Sequence, residues 1–177
     1  MYKDSDPNGE WGTIHTDNFK LNPNHKNRIF IIDDFYTNPE KLREYAINQW
    51  FFDDEGFEGL RTRKQFFFEG VKEKFESAIG QKITVWEEHG MNARFQSHKA
   101  DFRPVYHCDS QTWAAAWYGN IDAPYEAGTS FYAHKETGLR GGEDNVGKAF
   151  AGDTWVDPTP YVKIDTAANI FNRLVIW

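Results

Sequence analysis

Tyr106–Gly138 reads YHCDSQTWAAAWYGNIDAPYEAGTSFYAHKETG. Two short runs inside it, Thr112–Tyr118 and Thr129–Ala133, are rich in β-branched and aromatic residues, and an Asp-Ala-Pro turn signal lies between them. That pattern predicts paired strands. Just before the first run stands His107-Cys108-Asp109. On a strand, residues two apart share a face, so the imidazole and the carboxylate point the same way while Cys108 points to the other side.

Outward from this stretch, further strands are expected at Lys82–Trp86, Ala93–Gln96, Arg103–Asp109, Tyr161–Ile164 and Ile170–Trp177. Glu136–Asp153, with five glycines, reads as a long surface loop. Upstream of Gly80 the periodicity is helical. Asn38-Pro39 opens one helix running through Gln49, with Asn38 able to cap free amides and Leu42, Tyr45 and Ala46 on one stripe. Gly70–Ile79 predicts a second, with Val71, Phe75 and Ile79 on one face and Gly80 as the stop. Between them Asp53–Gly59 reads as an acidic loop, and Arg28–Ile32 as a short buried strand. Residues 1–27 are polar and read as a loosely held arm. Helices followed by a run of strands predict an α+β fold with a jelly roll or barrel over residues 28–177.

Composition narrows the function classes. The 177 residues carry a net charge of -7, which argues against a phosphate-backbone partner and against an anionic membrane surface. No apolar run is long enough to span a bilayer, and Cys108 is the single cysteine, so a soluble protein of the reducing cytoplasm is expected. The partner expected is a small-molecule or peptide substrate, not nucleic acid.

Spacing alone does not single out one site. Six His and 27 acids among 177 residues produce about one His-x-acid match by chance, and the chain has three: His15/Asp17, His107/Asp109 and His134/Glu136. His15/Asp17 falls in the arm, where nothing rigid would hold a site. His134/Glu136 enters the glycine-rich loop, either as surface polar residues or as the mouth of a pocket. His107/Asp109 sits between strand signals, as a metal-binding pair or as a buried hydrogen-bonded pair. Arg94, Gln96, Tyr106, Tyr118 and Arg173 either face an interior or serve ordinary packing and surface pairing. Cys108 reads as a small packed residue. Gly142–Ala149 nearly matches a phosphate-binding loop, but Ala149 stands where the Mg²⁺-binding hydroxyl is needed and no apolar strand precedes it.

The run from Tyr106 to Gly138 resembles a bacterial and phage branch of the iron(II)- and 2-oxoglutarate-dependent oxygenases. In that branch His-x-Asp precedes a Trp-bearing strand, an Asp-Ala-Pro turn and a Gly-Thr-x-Phe-Tyr strand. Ile32–Tyr36 with Asn38-Pro39, and Phe171–Val175, are similar to the same branch. The resemblance implies a double-stranded β-helix (a cupin-like jelly roll). It implies Fe(II) bound by His107 and Asp109, 2-oxoglutarate as co-substrate, and hydroxylase-type oxidation of a C–H bond. Tyr118, Arg94 and Gln96 become candidates for holding the co-substrate. The family's distal His is expected to follow the strand that here reaches Trp177, and no His occurs after His134. On this reading the chain is an incomplete jelly roll whose third ligand and distal cation lie beyond Trp177, inactive as it stands, with the Ile170–Trp177 strand left as an open apolar edge. A metal-free jelly-roll module binding carbohydrate or a protein partner is the alternative. A zinc hydrolase is a third reading, less favoured by the flanking motifs.

Overall fold

The computed structural model describes residues 29–53, 59–98, 105–109, 111–136, 138 and 159–177. It is a mixed α+β structure of small antiparallel sheets and two helices. The strands are β1 (Phe30–Ile32), β2 (Phe51–Asp53), β3 (Leu60–Thr62), β4 (Gln96–Ser97), β5 (Ala115–Trp117), β6 (Thr129–His134), β7 (Tyr161–Ala167) and β8 (Leu174–Ile176). The helices are α1 (Pro39–Ile47) and α2 (Val71–Ile79). They form a β1-β8-β5 sheet, a β2-β3-β4 sheet and a β6-β7 pair, and no sheet closes into a barrel among the described residues. No described helix is long and apolar enough to cross a membrane. Contacts divide the chain into two compact units: Ile32 to His98, and Ile29–Ile31 with the described residues from Val105 onward.

In the first unit both helices form where the apolar stripe calls for them. Leu42 and Ala46 are buried on α1, and Tyr45 meets Phe66, Phe68 and Phe95 edge-on at 5.7, 6.4 and 6.3 Å. On α2, Ile79 is buried and Phe75 packs against Phe35 and Trp86. Gly80 ends α2 in the left-handed region at φ 71°, its N–H donating to the Glu76 carbonyl. The capping expectation for Asn38 fails: its side chain makes no cap, and its backbone carbonyl accepts the Leu42 N–H at 3.2 Å.

Three strand expectations are corrected here and in the second unit. Lys82–Trp86 is irregular, because carboxylates take up polar groups that a ladder would use. Glu76 accepts the Ile83 N–H at 3.0 Å and Glu88 accepts the Trp86 N–H at 2.9 Å. Ala93–Gln96 shrinks to Gln96–Ser97, since Ala93 sits at φ 54°, outside the extended region. Val105–Asp109, the described part of Arg103–Asp109, is not assigned to a strand. Conversely, β2 and β3 flank the expected acidic loop at positions where no strand was expected. They pair Phe51 with Thr62, Phe52 with Arg61 and Asp53 with Leu60.

The second unit is built on β8. Leu174, Val175 and Ile176 are all but fully buried, and Val175 joins Tyr118 and Ala167 in a core flanked by Ala116, Phe131 and Trp177. β8 lies between β1 and β5, so the expected open edge is filled on both sides. Asn172 at φ 64° makes the turn into β8, and its side-chain oxygen accepts the Trp117 indole N–H at 3.1 Å. Asn tolerates that region better than other residues with a Cβ. Gly128 precedes β6 where β7 comes close: a Cβ there would stand 1.9 Å from the Ala167 carbonyl oxygen. The arm of residues 1–27, the phosphate-loop look-alike at 142–149 and most of the glycine-rich loop lie outside the described residues.

Candidate functional site

His107 and Asp109 lie in a segment, Val105–Asp109, that is assigned to no strand. They converge: His107 Nε2 stands 3.5 Å from Asp109 Oδ1. Both side chains can be reached from solvent, the imidazole 54% exposed and the carboxylate 31%.

Each is held from a second side. The His107 Nδ1 lies 3.2 Å from the Val105 carbonyl oxygen. A proton on Nδ1 donates to that carbonyl and turns the Nε2 lone pair toward Asp109. The other carboxylate oxygen, Oδ2, accepts the indole N–H of Trp177 at 3.2 Å. Trp177 is itself fixed by backbone hydrogen bonds in both directions with Ala114, at 2.8 and 2.9 Å, and its ring meets Phe131 edge-on. The Asp109 carboxyl is held below its ordinary range, first by the contact with His107 and also by the Trp177 N–H, against a raising effect of partial burial. Cys108 is exposed, not packed as expected; partial desolvation and the neighbouring Asp109 charge push its thiol up.

An imidazole lone pair and a carboxylate oxygen facing each other across 3.5 Å need a cation between them, either a proton or a metal ion. Bonds of about 2.1 Å to one divalent ion span such a gap at an angle of about 113°. The two donor atoms therefore fit one coordination sphere with little adjustment. Among the described residues no third His, Cys, Asp or Glu joins them.

The remaining candidates are placed elsewhere. Tyr118 is buried at the end of β5, its hydroxyl 2.6 Å from Thr129 Oγ1 and accepting the Thr129 N–H at 2.7 Å, so both ends of that bridge are occupied. Burial pushes its phenol up, against the two Thr129 hydrogen bonds. Arg94 and Gln96 belong to the first unit, beside and within β4, whereas His107, Asp109 and Tyr118 belong to the second. His134 is buried at the end of β6, its ring centroid 6.0 Å from that of Tyr161. Arg173 reaches the Ala168 carbonyl at 3.4 Å. Tyr106, next to His107, stacks on Tyr161 at 5.2 Å and meets Tyr132 edge-on at 4.8 Å. This aromatic anchor fixes the segment where no ladder does.

Trp177 is the site residue that pattern reading did not find. Its role depends on Asp109 and Trp177 meeting across 67 intervening positions, and indole residues carry no motif of their own. No protein-family model, curated protein or solved structure matches this chain.

Proposed function

We propose that this chain is an iron(II)- and 2-oxoglutarate-dependent oxygenase of the jelly-roll class, with His107 and Asp109 as two of the metal ligands. The observation that carries this reading is the 3.5 Å approach of His107 Nε2 and Asp109 Oδ1, both solvent-accessible and each oriented by a second partner. Two such donors leave the rest of a metal's coordination sphere open, as iron sites that admit co-substrate and oxygen require. Iron with 2-oxoglutarate would supply the oxidising power for C–H hydroxylation. The protein's share is positional. Val105 fixes the imidazole tautomer, and Trp177 restrains the carboxylate to one-oxygen binding by holding Oδ2. The reading requires a third ligand from outside the described residues. It assigns the substrate to the class of small molecules or peptides, with no nucleic-acid or membrane partner and a cytoplasmic setting.

Two measurements test it. Anaerobic Fe(II) titration followed by NMR line broadening should reach the His107 and Trp177 ring signals and vanish in Asp109→Ala, while Asp17→Ala leaves it unchanged. Succinate release with iron, ascorbate and 2-oxoglutarate measures turnover. Iron binding that survives loss of both His107 and Asp109 would refute the assignment.

A second reading is favoured by the same contact. If the proton, and not a metal, bridges His107 and Asp109, the pair is a structural lock in a metal-free binding module. Absence of Fe(II) binding, with His107 titrating as an imidazolium beside Asp109, would select it.

A further inference from the structure

His107 and Asp109 both trace back, through aromatic rings, to consecutive residues of β6. Neighbouring residues on a strand face opposite ways. Phe131 turns to the core, where it packs against Tyr118, Ala167 and Val175. There its ring also meets Trp177 edge-on at 6.1 Å, and the Trp177 indole N–H donates to Asp109 Oδ2. Tyr132 turns the other way and meets Tyr106 edge-on at 4.8 Å. Tyr161 of β7 lies flat on the same Tyr106 ring, with centroids 5.2 Å apart and planes 12° from parallel. Tyr161 pairs with His134, two places on from Tyr132, and so shares the Tyr132 face. Tyr106 is joined directly to His107. One line of contact therefore runs from Tyr132 through Tyr106 to the imidazole, and another from Phe131 through Trp177 to the carboxylate. The β6-β7 ladder slips between these two mounts. Phe131 stands opposite Asp165 and Tyr132 opposite Lys163, which leaves Ile164 as an extra residue. A bulge of this kind increases the local twist and re-aims side chains.

We propose that Phe131 and Tyr132, acting through Trp177 and Tyr106, are positioning residues that set the separation of His107 from Asp109. As a statement about metal affinity this rests on the iron reading; as a statement about the 3.5 Å approach of Nε2 to Oδ1 it does not. The physical need for such mounts lies in the segment itself. Val105–Asp109 belongs to no strand, and the contact of His107 Nδ1 with the Val105 carbonyl is internal to it. That contact orients the ring without tying the segment to the rest of the unit. The aromatic contacts supply the tie. A tyrosine side chain turns about only two torsions, so a ring fixed by a stack and an edge contact leaves its own backbone little freedom. The indole of Trp177 acts likewise on the carboxylate, and its backbone is already fixed to Ala114. Because the two mounts face opposite sides of β6, loosening one leaves the other in place.

The test uses the full chain, first without metal and then with Fe(II) under anaerobic conditions. Ordering of the His107 ring, from ¹³C relaxation, reports one arm; exchange of the Trp177 indole N–H with solvent reports the other. Tyr106→Leu should lower the order of the His107 ring and leave Trp177 exchange at the parent rate. Phe131→Leu should do the reverse, speeding Trp177 exchange while His107 stays ordered. Both changes keep an apolar side chain at a half-buried position and so are compatible with folding. Tyr106→Phe keeps the ring in its stack and should behave as the parent. Each Leu variant should weaken Fe(II) binding about tenfold, with Tyr106→Phe restoring it. Tyr132→Leu removes the edge contact but not the Tyr161 stack, and reads the His107 arm should Tyr106→Leu fail to fold. A His107 ring as ordered in Tyr106→Leu and Tyr132→Leu as in the parent overturns the proposal. So does loss of both readouts together in a variant of either arm, which marks general loosening of the unit. A parent chain that binds no Fe(II) sinks the iron reading alone, since the signals recorded without metal still decide this one.

Discussion

Replacing Tyr118 by Phe removes one oxygen and leaves the ring. That oxygen sits in a buried position, 2.6 Å from Thr129 Oγ1 and 2.7 Å from Thr129 N, linking the end of β5 to the start of β6. A net intramolecular hydrogen bond contributes about 1 kcal/mol, so losing two costs about 2 kcal/mol, with the orphaned Thr129 N–H included. For a chain of this size that lowers Tm by about 4–8 °C. Thr129→Val removes only the side-chain bond and keeps the backbone donor, so it should cost about 1 kcal/mol. The double variant should then cost about what Tyr118→Phe costs alone, leaving a coupling energy of about 1 kcal/mol. Urea denaturation of the four proteins, followed by far-UV circular dichroism, supplies the cycle. A Tyr118→Phe protein within about 0.5 kcal/mol of the parent would refute the view that this phenol is a structural bridge. It would also reopen its role toward a co-substrate.

The same physical reasoning extends to other positions. Gly128→Ala drives a Cβ to 1.9 Å from the Ala167 carbonyl oxygen, so β6 and β7 must separate; a loss of about 2 kcal/mol or more in chemical denaturation is expected. Leu174→Ala empties the middle of the β1-β8-β5 sheet at a residue 1% exposed and should cost about 2–5 kcal/mol by the same measurement. The Asp109 carboxyl is depressed in the folded protein, so its stabilising contact is complete above the ordinary carboxylate range and is lost as pH falls through its lower, folded pKa. An NMR titration should show the Trp177 indole N–H signal moving over that acidic window, and Asp109→Asn should flatten the curve.

The helices and the principal strands of the second unit were legible because each meets a local physical demand. Leu42, Tyr45 and Ala46 recur at helical spacing, Gly70 and Gly80 bracket α2, and Thr129–Ala133 is rich in β-branched and aromatic residues. The approach of His107 to Asp109 was legible from their spacing, although the segment that carries them is not a strand. What the sequence could not decide is whatever depends on a distant partner. Lys82–Trp86 has strand-forming side chains, yet the Glu76 and Glu88 carboxylates reach its N–H groups before a neighbouring strand does. Phe51–Asp53 and Leu60–Thr62 are too short to show a period, and only their mutual register makes them strands. β8 read as a loose edge because its flanking strands, β1 and β5, come from positions far up the chain. Trp177 became part of the site by the same route. Propensity and periodicity act over a few residues. Hydrogen-bond partners across a sheet, and the second contact that fixes a functional carboxylate, exist only once the chain has closed on itself.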